Sequence, residues 1–196
     1  MKPAAATTAA NTDSFRRYGL ASLLLALALS GTVDANAATD VFLKWSDSTI
    51  VGDSTNAQHP GEVVLTSYSQ NSSNPVNLGN GIGKAICGQI TIMKQIDQTS
   101  PEFLGKVLTG SVSSATVPVT ITFEKSATVP FQYYKVELYR VAVTSITQND
   151  SQADTVHETI MLEAGKFRYT FNRQKPDGTK GAPVIFGWDC LANRKF

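Results

Sequence analysis

The side chains that could perform acid–base or nucleophilic chemistry are few and scattered along the sequence. His59 lies in a turn-rich segment and His157 lies near the start of a predicted strand, and no GxSxG nucleophile motif accompanies them. Glu62, Asp97 and Glu102 lack the paired spacing that catalysis by two carboxylates requires. We therefore predict surface or capping roles for the histidines and no catalytic site.

A glycine-rich stretch, GNGIGK at residues 79–84, has a superficial likeness to phosphate-binding loops. It lacks the fixed Walker spacing, and no helix is predicted after it to direct an N-terminal dipole at a phosphate. We interpret the stretch as part of a flexible loop, and no cofactor is predicted.

Cys87 and Cys190 are the two cysteines of the chain. In an oxidising compartment they could form one disulfide that closes a loop of about 100 residues. The alternative is a pair of buried thiols that never meet, and the spacing does not decide between the two. No CxxC motif or histidine cluster accompanies them, so no metal site is predicted.

The first 37 residues have the pattern of a secretory signal peptide. Arg16 and Arg17 precede an uncharged run over residues 18–33, and Ala35-Asn36-Ala37 matches a small-x-small cleavage site. The apolar run is shorter than the roughly 20 residues of a membrane span, so we expect no stable membrane insertion after cleavage. The arginine pair also admits a twin-arginine export signal. We therefore predict a signal peptide at 1–37 and one exported domain at 38–196, periplasmic or extracellular.

Alternating apolar and polar residues after position 38 predict a mainly β domain. The main predicted element is a hairpin over residues 166–189 with a turn at Lys175-Pro176-Asp177-Gly178. Six of its side chains are expected to point inward: Phe167, Tyr169, Phe171, Val184, Phe186 and Trp188. Helical spacing and capping residues predict one short helix at about 100–110. Strands are predicted at 40–45, 62–69, 85–94, 116–124, 131–144 and 155–163. About eight strands with one flanking helix indicate a two-sheet barrel or sandwich.

Two further features point to contacts between proteins. Tyr133, Tyr139 and Val141 are predicted to lie on the strand face opposite the core, where they either anchor an interface or are covered by the helix. The long neutral loop at 70–84 is typical of functional or mobile segments. A formal net charge of +1 without a basic cluster argues against nucleic acid as a partner.

Four stretches, in order along the chain, resemble the haemolysin-coregulated protein (Hcp) family, the tube subunits of bacterial type VI secretion systems. The resemblance covers about residues 40–195. The stretches are Val41-Phe42-Leu43-Lys44, His59-Pro60-Gly61-Glu62-Val63, Lys94-Gln95-Ile96-Asp97-Gln98-Thr99-Ser100-Pro101, and Gln174-Lys175-Pro176-Asp177-Gly178 with Phe186-Gly187-Trp188-Asp189.

This resemblance implies a β-barrel with one flanking helix, assembling into homohexameric rings that stack into a hollow tube. Such a tube carries or escorts effector proteins in its lumen and supports a spike protein at its tip. The loop at 70–84 matches the family's extended loop, which helps rings contact each other. The implied stacking residues are Asn71, Ser72, Asn74, Asn77, Asn80 and Lys84.

The predicted export signal departs from the family pattern, because tube subunits normally assemble in the cytoplasm. Either the start codon is misplaced and residues 1–37 are not made, or the chain is an exported relative. The exported relative would act as a binding module, as rings or monomers without a tube role.

Overall fold

The structure is a computed structural model that describes residues 38–76, 79, 83–127, 129–150 and 156–196. The predicted signal peptide at 1–37 lies outside the described residues. In chain order the elements are β1 Thr39–Lys44, β2 Val63–Leu65, β3 Ser67–Ser73, β4 Ile86–Gln95, α1 Ser100–Thr109, β5 Val119–Lys125, β6 Phe131–Asp150, β7 Val156–Gln174, β8 Lys180–Asp189 and β9 Arg194–Lys195.

All strand pairs are antiparallel, and the main path of the sheet runs β2-β1-β5-β6-β7-β4-β3. β8 pairs with the second half of β7, and β9 adds to β8. The path does not return on itself, since β2 and β3 are its two ends, so the sheet does not close as a barrel. The prediction of a mainly β, sandwich-like fold with one short helix is confirmed.

The segment predicted as one strand at 62–69 divides at Thr66. Its first part, β2, pairs with β1, whereas β3 pairs with β4. The backbone N–H of Thr66 donates to the carbonyl of Met93 at 2.8 Å. Thr66 therefore connects β2 directly to β3, the two end strands of the sheet path. The two strands do not form one continuous strand, and the sheet bends over the core at this residue.

The long hairpin of β6 and β7 changes its buried face at Arg140. Val136 and Leu138 are fully buried, but the next buried residue of β6 is Val141 rather than Arg140. Arg140 has a left-handed φ of 55°, and its N–H donates to the carbonyl of Ser114 at 2.9 Å instead of to a strand. The alternation therefore slips by one residue. The prediction that Val141 lies opposite the core was wrong, because this kink turns its side chain inward.

The turn predicted between β7 and β8 is confirmed. Gly178 adopts a φ of 82°, a region that side chains disfavour, and its N–H donates to the carbonyl of Lys175 at 2.9 Å. The Asp177 carboxylate accepts from the N–H and the hydroxyl of Thr179. Both contacts fix a tight reversal at the end of the hairpin.

Only the base of that hairpin is inward as predicted. Phe167 is buried, while Phe171, Val184 and Phe186 are exposed. The outer half of β7 and β8 extends beyond the strands that could cover it, since β4 pairs with β7 only as far as Leu162. The expectation of six inward side chains was wrong for the distal three.

The helix α1 has the predicted bounds but a narrower apolar contact. Phe103 is fully buried and meets the ring of Trp45 edge-on at 5.7 Å between centroids. Leu104 and Leu108 are exposed. Gly110 ends the helix in the left-handed region with a φ of 62°. The helix is thus held mainly by one aromatic side chain and by its polar N-terminal contacts.

Candidate functional site

A buried charge cluster joins the end of β4 to the start of the helix. The Lys94 ammonium is fully buried and lies 2.8 Å from Glu158 Oε1 and 2.6 Å from Asp97 Oδ1. It also donates to Ser100 Oγ at 3.2 Å. A serine beside a lysine is a possible nucleophilic pair, but both are buried here and the ammonium contacts two carboxylates. The cluster therefore fixes the helix to the sheet and offers no reactive surface.

Lys94 was overlooked in the sequence analysis. Asp97 accepts from the N–H of Thr99, the N-cap residue, at 2.7 Å and so fixes the chain at the start of the helix, where the Thr99 side chain makes no capping hydrogen bond. Lys94 has the same strand parity as Ile90 and Ile92, both buried. That parity was the signal that Lys94 points inward.

His59 is held in a second buried cluster rather than at the surface. Its ring stacks on Phe42 with centroids 4.3 Å apart, and its Nδ1 lies 2.9 Å from Glu62 Oε2. Its Nε2 lies 3.4 Å from Glu124 Oε2. Of the surface or capping roles predicted for His59, burial excludes the surface role, and the residue has a structural role in which it pins its loop to β1 and β5.

The loop around His59 is ordered by a close backbone approach. Gly52 donates to the carbonyl of Gly61 at 2.8 Å, and Ser54 donates to that of Glu62 at 3.1 Å. A Cβ at Gly52 would lie 2.3 Å from the Glu62 carbonyl oxygen, so only glycine fits there. The family-like HPGE stretch thus performs structural work.

A tyrosine cluster near the base of the long loop was also missed. The hydroxyls of Tyr68 and Tyr169 both donate to Gln70 Oε1, which links β3 to β7. Burial raises the pKa of Tyr169 to about 12 and raises that of Tyr68 further. The phenols therefore stay neutral, and the cluster anchors the strand that leads into the loop.

The stacking residues proposed from the family likeness occupy different settings. Asn71 and Ser72 lie within β3, where Ser72 pairs with Cys87 of β4. Asn74 and Lys84 are exposed at the two sides of the loop. Asn77 and Asn80 lie outside the described residues. The loop between the paired strands is thus shorter than predicted and spans residues 74–85.

Two of the three predicted ring-contact residues remain accessible. Tyr133 and Tyr139 are half-buried, whereas Val141 belongs to the core. Tyr139 meets the ring of Phe196 edge-on, and Tyr133 lies under the ammonium of Lys125 at 5.9 Å. The C-terminal residue Phe196 and β5 therefore frame these two tyrosines.

The structure joins Cys87 and Cys190 in a disulfide across a separation of 103 residues. Cys190 directly follows β8, and its N–H donates to the carbonyl of Gly165 at 3.0 Å. Gly165 lies between the part of β7 that pairs with β4 and the part that pairs with β8. The disulfide therefore links β4 to the end of β8 at the point on β7 where pairing with β4 ends and pairing with β8 begins.

The described part of the chain contains neither a metal-binding cluster nor a helix that could span a membrane. Within it, no group of three or more His, Cys, Asp or Glu side chains is placed to hold a metal ion. Its helix is too short to cross a membrane.

Comparison with known proteins shows what this arrangement resembles. The family model for the type VI secretion system effector Hcp matches residues 42–171. A search of curated proteins gives no match. Among solved structures, a type six secretion system protein is 20% identical with a TM-score of 0.74, over 81% of this chain and 100% of that one.

Two further solved structures share the fold. Hcp1 from Salmonella typhimurium is 21% identical with a TM-score of 0.67, over 81% of this chain and 99% of its own. A type VI secretion system effector from Yersinia pestis is 21% identical with a TM-score of 0.61, over 76% and 99%. The TM-scores of these three structures show a common fold. The family model covers most of the described domain. The chain belongs to the Hcp family of the type VI secretion system.

Proposed function

We propose that the chain is a structural, ring-forming subunit of a type VI secretion tube. Six copies form a ring, and rings stack into a hollow conduit that carries or escorts effector proteins and bears a spike protein at its tip. The observation that carries the proposal is the family match over residues 42–171. A role without catalysis is consistent with the burial of Lys94, Ser100 and His59, three polar side chains of types that can take part in catalysis.

Rings are proposed to form through side-chain surfaces and to stack through the loop at residues 74–85. Tyr133 and Tyr139 are proposed contact residues within the ring, because aromatic side chains commonly anchor interfaces. Asn74 and Lys84 flank the loop on its exposed sides. Side chains on both faces of such a loop can meet the next ring.

Electron microscopy and light scattering of the purified protein test the ring. Six-membered rings are expected, and a uniform monomer at high micromolar concentration would contradict the proposal. The stacking role has its own test. Ser73 pairs directly with Ile86, so residues 74–85 can be replaced by Asn-Gly, a two-residue hairpin turn, without breaking the strands.

The replacement variant should keep its rings and lose ring-on-ring stacks. A second variant changes only Asn74 and Lys84 to serine, keeps the loop length and should weaken stacking without affecting the rings, because both are proposed stacking residues. Tubes that form equally well without the loop would rule out its stacking role while leaving the ring intact.

The Cys87–Cys190 disulfide favours a second candidate, an exported Hcp-like module in the periplasm or outside the cell. Disulfides persist in oxidising compartments and are rare in the cytosol. The N-terminal residue of the native protein and its cellular fraction separate the two candidates. A start near Ala38 outside the cytoplasm supports the exported module, whereas a cytoplasmic chain that starts downstream of the apolar run at 18–33 supports the ordinary tube subunit.

A further inference from the structure

Charge is divided unequally between the two parts of the domain. Residues 166–196 carry seven Lys or Arg and two Asp, a net charge of +5. Residues 38–165 carry seven Lys or Arg and twelve Asp or Glu, a net charge of −5. The near-neutral total charge therefore conceals a basic C-terminal segment and an acidic segment at 38–165, whose net charges are equal in magnitude and opposite in sign.

Part of the basic segment is a hairpin, here called the C-terminal arm, which comprises residues 171–186 of β7 and β8 and carries three of the seven cations and one of the two carboxylates. Arg173, Lys175 and Lys180 are exposed around its turn. Val184 is 68% exposed, and Ile185 and Phe186 beside it are also exposed. Within the described residues, β9 covers the outer edge of β8 only at Trp188 and Asp189. The arm is thus a basic, apolar strand with an open edge, which proteins normally protect or pair.

A groove lies at the other end of the same long strand, and it is called the acidic groove here because the exposed Asp53 lines it; Asp97, its other carboxylate, is paired with the buried Lys94. It has a volume of about 360 Å³ and is lined by Asp53, Val64, Thr66, Gln95, Ile96 and Asp97. Asp53 is exposed, and the apolar side chains Val64 and Ile96 are 47% and 44% exposed. The groove therefore offers an apolar floor beside a carboxylate, the counterpart of what the arm presents.

The arm does not reach the groove of its own chain. Gln95, in the groove, pairs with His157 at the start of β7, whereas the arm turns at Gln174 and Lys180, at the end of β7. At about 3.3 Å per residue, β7 holds the two surfaces far apart. Their complementarity can be used only between molecules.

We propose that the C-terminal arm of one copy docks in the acidic groove of a second copy. This inference rests on the proposed self-assembly and adds to it the two surfaces that meet. Lys180 lies against Asp53, and Val184 and Phe186, which share one face of β8, cover Val64 and Ile96. Such a contact joins different surfaces, so repetition closes into a ring when the rotation allows it.

The occupant is a second copy rather than an unrelated partner because one chain carries both complementary surfaces, the cations and exposed apolar side chains of the arm and the carboxylate and apolar floor of the groove. A nucleic acid would satisfy the arm but would be repelled by the groove. A basic peptide would satisfy the groove and leave the apolar edge of the arm uncovered.

Charge reversal in the full chain, followed by sedimentation velocity, tests the contact. Lys180→Glu and Asp53→Lys should each raise the dissociation constant of the assembly at least tenfold, because each places like charges together. The variant with both reversals should return to within about threefold of the wild type. Lys44→Glu, which changes an exposed strand-end lysine outside both surfaces, is the matched control and should assemble normally.

The outcomes are distinguishable. A wild-type chain that stays monomeric overturns the proposed function and this inference together. A wild-type chain that forms rings while the single reversals leave them unchanged overturns only the arm-and-groove contact, as does a double reversal no better than the singles. Circular dichroism and the urea unfolding midpoint of each variant verify that the exposed substitutions leave the fold intact.

Discussion

The fully buried ammonium of Lys94 lies between the carboxylates of Asp97 and Glu158. Withdrawing these groups from water is costly, and their mutual attraction offsets that cost only while all partners are present. The cluster connects three elements, since Lys94 belongs to β4, Asp97 precedes the helix and Glu158 belongs to β7. Its value for the fold lies in where it holds the helix.

We predict that Lys94→Met lowers the free energy of unfolding by about 3–5 kcal/mol, because it leaves a buried carboxylate without its cation. Urea unfolding followed by tryptophan fluorescence measures the change. Lys135→Met is the control, since Lys135 pairs with Glu137 near the surface and should cost about 1 kcal/mol or less. Equal losses for the two variants would show that the buried cluster adds nothing.

The tyrosine cluster predicts a loss of stability in alkali. An unfolded tyrosine releases its proton near pH 10, but the pKa of folded Tyr169 is raised to about 12 by burial. Between these values the unfolded state binds fewer protons than the folded state, so stability falls as the pH rises. Below pH 10 the phenol is neutral in both states and has no such effect.

We predict that Tyr169→Phe makes this fall in stability shallower. At pH 11.5 the variant should retain about 1 kcal/mol more of its own pH 8 free energy of unfolding than the wild type retains of its own. Full burial would give a larger effect, but Tyr169 is partly solvated. Urea unfolding midpoints at pH 8, 10 and 11.5 measure it. Part of the fall should persist in the variant, since Tyr68 and Tyr134 also have raised pKa values. Parallel pH profiles for the two proteins would contradict the assignment.

At the scale of the elements, the disulfide has the clearest consequence. β4 and β8 both pair with β7 but not with each other, so the Cys87–Cys190 bond is a direct link between them. In the chain-entropy model, a cross-link over about 100 residues restricts the unfolded state by up to about 4–5 kcal/mol.

We predict that Cys87→Ala with Cys190→Ala loses most of that stability while folding to the same sheet. Thermal unfolding should fall by roughly 8–15 °C, using about 2–4 °C per kcal/mol for a domain of this size. A reductant should lower the wild-type midpoint toward that of the variant and leave the variant itself unchanged. A wild-type unfolding midpoint that does not change with the reductant would mean that the disulfide does not stabilise the folded protein.

The elements also show how far the sequence could predict this fold. Period-2 alternation found most strands, and Pro101 with Gly110 placed the helix correctly, because these signals act over a few neighbouring residues. The inward direction of Val141 depends on the left-handed backbone of Arg140 and its bond to Ser114, a contact set by tertiary structure. The burial of His59 likewise depends on Phe42 and Glu124, which are distant in sequence.

At the scale of the whole molecule, the described domain places opposite charges at opposite ends of β7. The cations of the C-terminal arm cannot be neutralised by the groove of the same chain. In assembly through two different surfaces, each copy contributes one arm and one groove. The ring closes when the arm of the last copy binds the groove of the first. Composition alone concealed this, because the net charge of the whole chain is only +1.

The last prediction uses this directionality. A Lys180→Glu chain places a carboxylate against Asp53 of its neighbour, and an Asp53→Lys chain places an ammonium against Lys180 of its neighbour, so neither should assemble alone. In a 1:1 mixture every unlike contact is complementary, because the new carboxylate meets the new ammonium and the unchanged Lys180 meets the unchanged Asp53. Alternating rings should therefore appear, and six members allow three copies of each. Native mass spectrometry resolves that composition; a mixture that stays monomeric, while the doubly reversed chain assembles, would show that arm and groove do not meet between copies.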